Sequence, residues 1–544
     1  MSGKSATSVA LLLLSLTLGL RAQGGTLELA SVSLHGKPCN SSVDFPTISG
    51  NGRYVIFQTD ASDLVPGDTN GFIDLFLRDL HTQQTECISV DPNGRPIGGG
   101  EGRISRDGRY VLFSSGASGF GPVVPARTGQ IYLRDRLTGK VELISQSTSG
   151  TPGNSTSLLS MYSYVMDPQA RYVAFRSYAT NLVPLDTNGS VDVFLRDRVR
   201  GTTIRISEVV PGIGGISKSQ WITMSEDGAW LIFATQAFDI APPDYNGNGD
   251  DVILYDVHNG TLSRPLNRLP AVQAGARSLP VGIEPGGKRI YLRTHAQLTP
   301  QDTNGQSDIY AFDLTTNAVE RISTDPNGQE LPKGISWIWY SSRNGRILYT
   351  TAPGAVSSGV YLWDYRTSKV TSVGMTWPLP SPGGMVGMVS ADGTRVTYQG
   401  YNLLPGENGN NTSAYVRHLY PECSALDPII PGRGTRFRLF DPDGANKLYV
   451  AVMSMSFTPA IPIGGARYLY AAPDILFLSS LSAPNVFFNF IGTLDSQGTA
   501  QALFIAPAVP SLRGLPTVTA FLVFDPKAHN GVSGISNSVP LVIQ

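Results

Sequence analysis

Ser105-Arg106-Asp107-Gly108-Arg109-Tyr110-Val111-Leu112-Phe113 decides the fold, because the same stretch returns along the chain. Its copies include Ser49-Gly50-Asn51-Gly52-Arg53-Tyr54-Val55-Ile56-Phe57 and Asp167-Pro168-Gln169-Ala170-Arg171-Tyr172-Val173-Ala174-Phe175. A further copy is Ser225-Glu226-Asp227-Gly228-Ala229-Trp230-Leu231-Ile232-Phe233, and weaker ones begin near Glu284, Arg343 and Ala391. The arginine position steps through Arg53, Arg109, Arg171, Ala229, Lys288, Arg346 and Thr394, at intervals of 48–62 residues. A period of that size marks a repeat architecture.

Each repeat reads as four short strands. In the first they cover 46–49, 53–59, 74–79 and 85–90, and their alternating, β-branched and aromatic content fits strands. The Asn-Gly or Asp-Gly pair between the first two predicts a tight hairpin, since glycine tolerates positive φ. Four-stranded units in tandem predict propeller blades. Leu27-Glu28-Leu29-Ala30-Ser31-Val32 parallels Thr85-Glu86-Cys87-Ile88-Ser89-Val90, so the chain starts with a fourth strand. The last repeat has a third strand at 414–420 and then leaves the pattern at Pro421. The N-terminal strand is expected to fill that vacancy, hide the open edge and close a seven-bladed β-propeller over 26–420.

These motifs resemble the WD-repeat-like propeller repeats of the TolB superfamily. Ser105-Arg106-Asp107-Gly108 and Asp308-Ile309-Tyr310 carry the likeness, which extends over about 26–420. It implies a propeller fold. The chain departs from TolB proper in having no α/β domain before the repeats and a β-rich segment after them, so no Tol–Pal role is carried over.

The 544 residues are too many for one core. Residues 421–431 read as a linker, and strand-like runs at 447–453, 475–479, 486–491, 499–505, 517–524 and 539–543 predict a small β-sandwich over 432–544. Lys4, the apolar run 9–20 and Ala22 read as a signal peptide over 1–22. The expected location is therefore secreted, periplasmic or cell-surface, with no membrane span after cleavage. Lysine plus arginine (41) balance aspartate plus glutamate (42), which argues against a nucleic-acid partner. Cys39, Cys87 and Cys423 match no zinc spacing; two of them could pair after export, or all three act as small hydrophobes.

Two sets of residues are candidates for binding. The loop Asp-x-Asn-Gly before the third strand recurs at 68–71, 186–189 and 302–305, with a longer version in the fourth repeat. There Asp244, Asn246, Asn248, Asp250 and Asp251 offer the oxygens that calcium requires, although Tyr255 replaces the glutamate of a true EF-hand. The plain alternative is turn chemistry, in which Asp and Asn bond their own backbone. The second set is Arg103, Trp221 and Trp339, with Trp337, near the innermost strands, where arginine and aromatic rings suit a peptide or sugar; packing between blades explains the tryptophans equally. The Arg-Asp pairs Arg78-Asp79, Arg134-Asp135 and Arg196-Asp197 read as strand-end charges. No nucleophile elbow or zinc-protease helix is present, and the six histidines are scattered. The expected role is a binding or scaffold module for a protein or glycan partner. The alternative is a carbohydrate-active lyase or glycosidase with acids at the channel mouth.

Overall fold

The serine before each turn organises it locally. Ser49 Oγ accepts the Tyr54 N–H at 2.9 Å, and Ser105 and Ser225 do the same for Tyr110 (2.9 Å) and Trp230 (3.0 Å). Gly52 N donates to Ser49 O, and Gly52 sits at φ 71°, a left-handed value that glycine adopts without strain. The connection therefore spans residues 50–53, one residue longer than the 50–52 expected, because the serine hydroxyl closes it. In the third repeat Asp167 replaces the serine, and its carboxylate accepts the Tyr172 N–H.

The computed structural model describes residues 27–125, 128–157, 164–207, 220–237, 240–241, 243, 245, 250–269, 277–338, 346–351, 360–364, 368–372, 385–391, 393–400, 411–419, 422–425, 433–441, 446–454, 461–464, 467–469, 487–496, 498–505, 516–524, 532–535 and 539–542. The expected signal peptide, Trp339 and the run 475–479 lie outside them. The described residues are all-β, with two short 3₁₀ turns and no α-helix.

The strands β1 (Leu27–Leu29), β2 (Asp44–Ile48), β3 (Tyr54–Thr59), β4 (Asp74–Asp79) and β5 (Gln84–Cys87) open the chain. β2 to β5 pair antiparallel in chain order and make the first sheet. Five more four-stranded sheets follow in the same order, the second starting with β6 (Gly100–Ile104). The seventh holds Met385–Val389, Arg395–Gly400 and Ser413–His418, and β1 takes its fourth place. Ala30 N donates to Ala414 O at 2.8 Å, and Ala414 N donates to Ser31 Oγ at 3.1 Å.

Apolar cores lie between successive sheets. Ile56, Leu75 and Leu77 of the first meet Ile104, Val111 and Phe113 of the second in one buried cluster. Leu112 and Leu133 of the second likewise meet Val173 and Phe194 of the third. Both faces of a sheet are therefore buried, and Tyr54–Thr59 reads nearly all-apolar for that reason. The seventh sheet returns to the first: Ala391 N donates to Gly50 O (2.9 Å), and Thr397 Oγ1 donates to Pro46 O (2.9 Å). The succession of sheets thus closes on itself, as in a β-propeller.

Arginines staple neighbouring sheets. Arg198 of the third sheet bonds Glu142 Oε2 of the second at 2.9 Å, donates to Ala170 O at 2.5 Å, and lies 5.2 Å from the Tyr110 ring centroid. Arg136 repeats this against Glu86, Gly108 O and Tyr54 of the first step. Replacing Arg198 by alanine should cost about 2 kcal/mol in denaturant unfolding, the sum of a hydrogen bond, a ring contact and a partly exposed ion pair. Arg200→Ala, whose side chain is 74% exposed, should cost under about 0.5 kcal/mol. Equal effects would dismiss the staple.

The described residues fall into two compact units, 30–415 and a second made of residues before 30 with those from 416 on. In the second, Glu422–Ala425, Gly434–Phe440, Thr499–Ile505 and Phe487–Phe488 form one sheet. Leu448–Ser454 and Pro516–Phe524 centre another. Phe437, Leu439 and Phe504 of one sheet share a buried cluster with Tyr449, Met453 and Phe521 of the other. Two details differ from expectation. Part of the 421–431 stretch, Glu422–Ala425, is a strand that pairs with Gly434–Phe440. The run 486–491 breaks at Asn489 (φ 54°), which sends Phe487–Phe488 and Ile491–Thr493 to different sheets.

Candidate functional site

First strands of several sheets meet around one cavity, the arrangement that a propeller axis gives. The second, third, fourth and seventh sheets send their first strands, or the turns after them, to one cavity lined by Arg103, Arg106, Met166, Asp167, Glu226 and Met388. Arg103 is buried, and its Nη1 lies 3.8 Å from Met388 Sδ, so it reaches from the second sheet to the seventh. Arg106 of the second sheet pairs with Glu226 of the fourth at 3.7 Å. Asp167 is committed to its turn: it accepts the N–H groups of Tyr172 and Gln169, while burial raises its pKa.

These axial strands are irregular at a repeated place. The pairing shifts by one residue between Asp44 and Thr47, Gly100 and Arg103, and Gln220 and Ile222. The inserted residues Phe45, Glu101 and Trp221 sit at φ 51°, 47° and 54°. Bulges of this kind re-aim a side chain, and a large residue in left-handed geometry costs of order 1–3 kcal/mol. Trp221 is half-buried at its bulge, and the side chain of Trp337 is outside the described set. Glu101 was not among the sequence candidates. Its signal is faint: a carboxylate flanked by Gly98, Gly99, Gly100 and Gly102.

Glu101 is the perturbed group of this region. Burial pushes its pKa up to about 7, against the smaller opposing pull of Arg103. A carboxyl with a raised folded pKa adds stability that is full below its ordinary value and is lost as pH rises through about 7. Glu101→Gln should therefore exceed wild type by roughly 1–3 kcal/mol at pH 8, and the gap should close toward pH 4. Denaturant titrations at the two pH values read this directly; a gap independent of pH would refute it.

The calcium candidates divide differently. Asp244, Asn246 and Asn248 lie outside the described residues. Asp250 and Asp251 are buried and form ion pairs with Arg277 and Arg264, so arginines from later in the chain already balance both charges. A dication at those two would have to displace a guanidinium. In the shorter loops Asn70, Asn188 and Asn304 donate to Asp74, Asp192 and Asp308 at 2.6, 2.9 and 3.2 Å. Ser89, Ser207 and Ser323 donate to the same aspartates. That is turn chemistry which locks the third strand to the fourth. Among the described residues Asp302, Asp308 and Glu330 come close together, with Tyr310 and Arg321 bonded into the group.

Asp79, Asp135 and Asp197 pair with Arg53 (2.6 Å), Arg109 (2.7 Å) and Arg171 (3.0 Å), which tie second strands to third strands. Cys39 and Cys87 are free thiols, and burial pushes their pKa values up to about 11 and 12.

No family model matches the chain, and no curated protein matches it. Solved structures that the chain matches include TolB from Acinetobacter baumannii, at 15% identity and TM-score 0.33, covering 62% of this chain and 64% of that one. A puromycin-hydrolyzing peptidase from Mycobacterium tuberculosis matches at 14% identity and TM-score 0.40, covering 76% and 62%. The extracellular domain of a putative hybrid two-component system from B. thetaiotaomicron matches at 10% and 0.40, covering 96% and 60%. The chain thus spans less than two thirds of the length of each of these. At such scores the fold rests on the chain's own sheets. No described helix is long and apolar enough to cross a membrane. By its sheet order and its repeats, the chain has a β-propeller-like fold of successive four-stranded sheets.

Proposed function

We propose that residues 26–420 form a seven-bladed propeller, closed by the N-terminal strand, that acts outside the cytoplasm as a binding module for a protein or glycan partner. The C-terminal sheets form a small sandwich beside it in the chain. The ligand site is the axial cavity. The observation that carries this reading is the convergence of four sheets on one cavity, with buried Arg103 reaching Met388. Sites of this kind are concave, mostly apolar and equipped with a few placed polar groups. The methionines supply an adaptable apolar wall and Arg103 a donor for a carbonyl, carboxylate or hydroxyl.

Peptide and glycan arrays probed with the full secreted chain test this. At least one class of ligand should bind, and Arg103→Ala should remove the signal without lowering the melting temperature by more than a few degrees. Binding that survives Arg103→Ala unchanged would place the ligand elsewhere.

A further inference from the structure

In an antiparallel sheet of four strands in chain order, the loop from the second strand to the third and the connection to the next sheet leave from the same end. The turn between the first two strands is at the other end. In the first three sheets the loop end carries Leu34, Phe72, Ile73, Val123, Tyr178 and Leu185, which are 47–95% exposed. At the turn end only Leu137 and Val199 are comparable among the described residues. Hydrogen bonds tie the loops into one surface. Leu34 N–H donates to Asp63 O and Gly99 N–H to Ile73 O, both at 2.9 Å. Ser157 N–H donates to Gly129 O at 2.9 Å and Tyr178 N–H to Thr156 O at 3.0 Å. Gly98 faces Phe72 and Gly119 faces Ile97, which joins the loops of the first and second sheets. The surface is also poor in charge. The described residues of 30–43, 60–73, 88–99, 116–129, 144–157 and 178–191 include the cations Lys37 and Arg95. Their anions are Asp60, Asp63, Asp68, Asp91 and Asp186, of which Asp68 and Asp186 are buried. Large apolar side chains with few charges mark the core of a protein interface, and soluble chains rarely leave more than a few hundred Å² of such surface open.

We propose that the loop end of the first three sheets is the face through which the chain pairs with a second copy of itself about a two-fold axis. At ~200 Å² for a fully exposed large side chain, the six residues leave on the order of 700 Å² open. That is close to the ~800 Å² that each partner brings to a standard interface. The charges suit an identical partner. Those not buried are Lys37, Arg95, Asp60, Asp63 and Asp91, so two copies meet with mixed and nearly balanced signs. The three aspartates are already engaged by Ser41, Asn40 and Asn93. A strongly charged partner finds little to pair with here, and two cations are too few to hold an anionic membrane. In a two-fold pair the same surface serves both copies and association stops at two. The turns that line the axial cavity, Ser105-Arg106, Asp167-Pro168 and Ser225-Glu226, are at the opposite end of their sheets, so pairing leaves both cavities free. The pairing does not depend on what fills the cavity.

The test is sedimentation velocity on the full chain over a range of about 1–200 µM. Wild type should pass from one chain mass to two, with a midpoint on the order of tens of micromolar, as suits an interface at the small end of the standard size. Val123→Asp and Leu185→Asp should each weaken association by at least about thirtyfold, because a two-fold interface buries the new carboxylate twice. Leu137→Asp, an exposed position at the turn end, should leave association unchanged. Circular dichroism of the three variants controls for folding. A single chain mass at every concentration would overturn the proposal. So would a pair that survives Val123→Asp and Leu185→Asp together, or one lost equally in Leu137→Asp. Species that grow beyond two copies would overturn it in favour of head-to-tail contacts. A wild type that stays single and floats with phosphatidylethanolamine–phosphatidylglycerol vesicles would overturn it in favour of a lipid surface.

Discussion

A chain lacking residues 27–33 should leave solution as aggregates or run as large oligomers in size-exclusion chromatography with light scattering. The deletion removes β1 from the edge of Ser413–His418, together with the bonds of Ala30 and Ser31 to Ala414. Leu29 and Ala30, both buried, also leave the core. What remains is an unpaired strand edge at the point where the seventh sheet meets the first. Such edges pair with other chains, which is why natural sheets cover them. Added peptide of the same seven residues should compete with self-association. A truncated chain that stays monomeric with an unchanged melting curve would show that β1 is not needed for closure.

Arg205→Met should be the most damaging single substitution in the propeller repeats. Arg205 bonds Asp186 at 2.6 Å and lies 3.4 Å from Asp192, and the three side chains are 3%, 3% and 0% exposed. Removing the cation leaves two buried carboxylates facing each other, at a cost of about 3–5 kcal/mol. The loss should shrink in acid. Burial already raises the Asp192 pKa, against the pull of Ser207, Asn188 and Arg205. Without the arginine it rises further, so the folded variant holds a proton that the unfolded chain releases near the ordinary carboxylate range. The variant should then be least stable above neutrality and recover as pH falls toward that range. Denaturant unfolding at pH 8 and pH 5 measures both effects. A loss under about 1 kcal/mol, or one that grows in acid, would contradict the account.

The strands were legible because the turn signal and the apolar second strand recur in register. Residues 105–113 give both, and the likeness of 27–32 to 85–90 foretells the place of β1. Contacts that join distant residues were not legible. Asp250 and Asp251 read as open oxygen ligands because Arg264 and Arg277 come later in the chain and return only in three dimensions. Arg103 and Met388 are separated by 285 positions, and no local pattern links them. Glu101 was hidden for another reason. Left-handed backbone is signalled by glycine or asparagine, and a glutamate at φ 47° breaks that rule. The second strand was expected from Arg53 and starts at Tyr54, because the reach of Ser49 Oγ to Tyr54 N is invisible in sequence.

The claim on which everything else depends is that ligand is held at the propeller axis by the first strands of several sheets. A crystal structure of the full chain with the tightest array ligand tests it most directly. The account predicts ligand density in the cavity among Arg103, Met166 and Met388, with a polar atom of the ligand within hydrogen-bond distance of the Arg103 guanidinium. Density on the outer strands such as β5, or in the C-terminal unit, with the axial cavity unchanged, would contradict it.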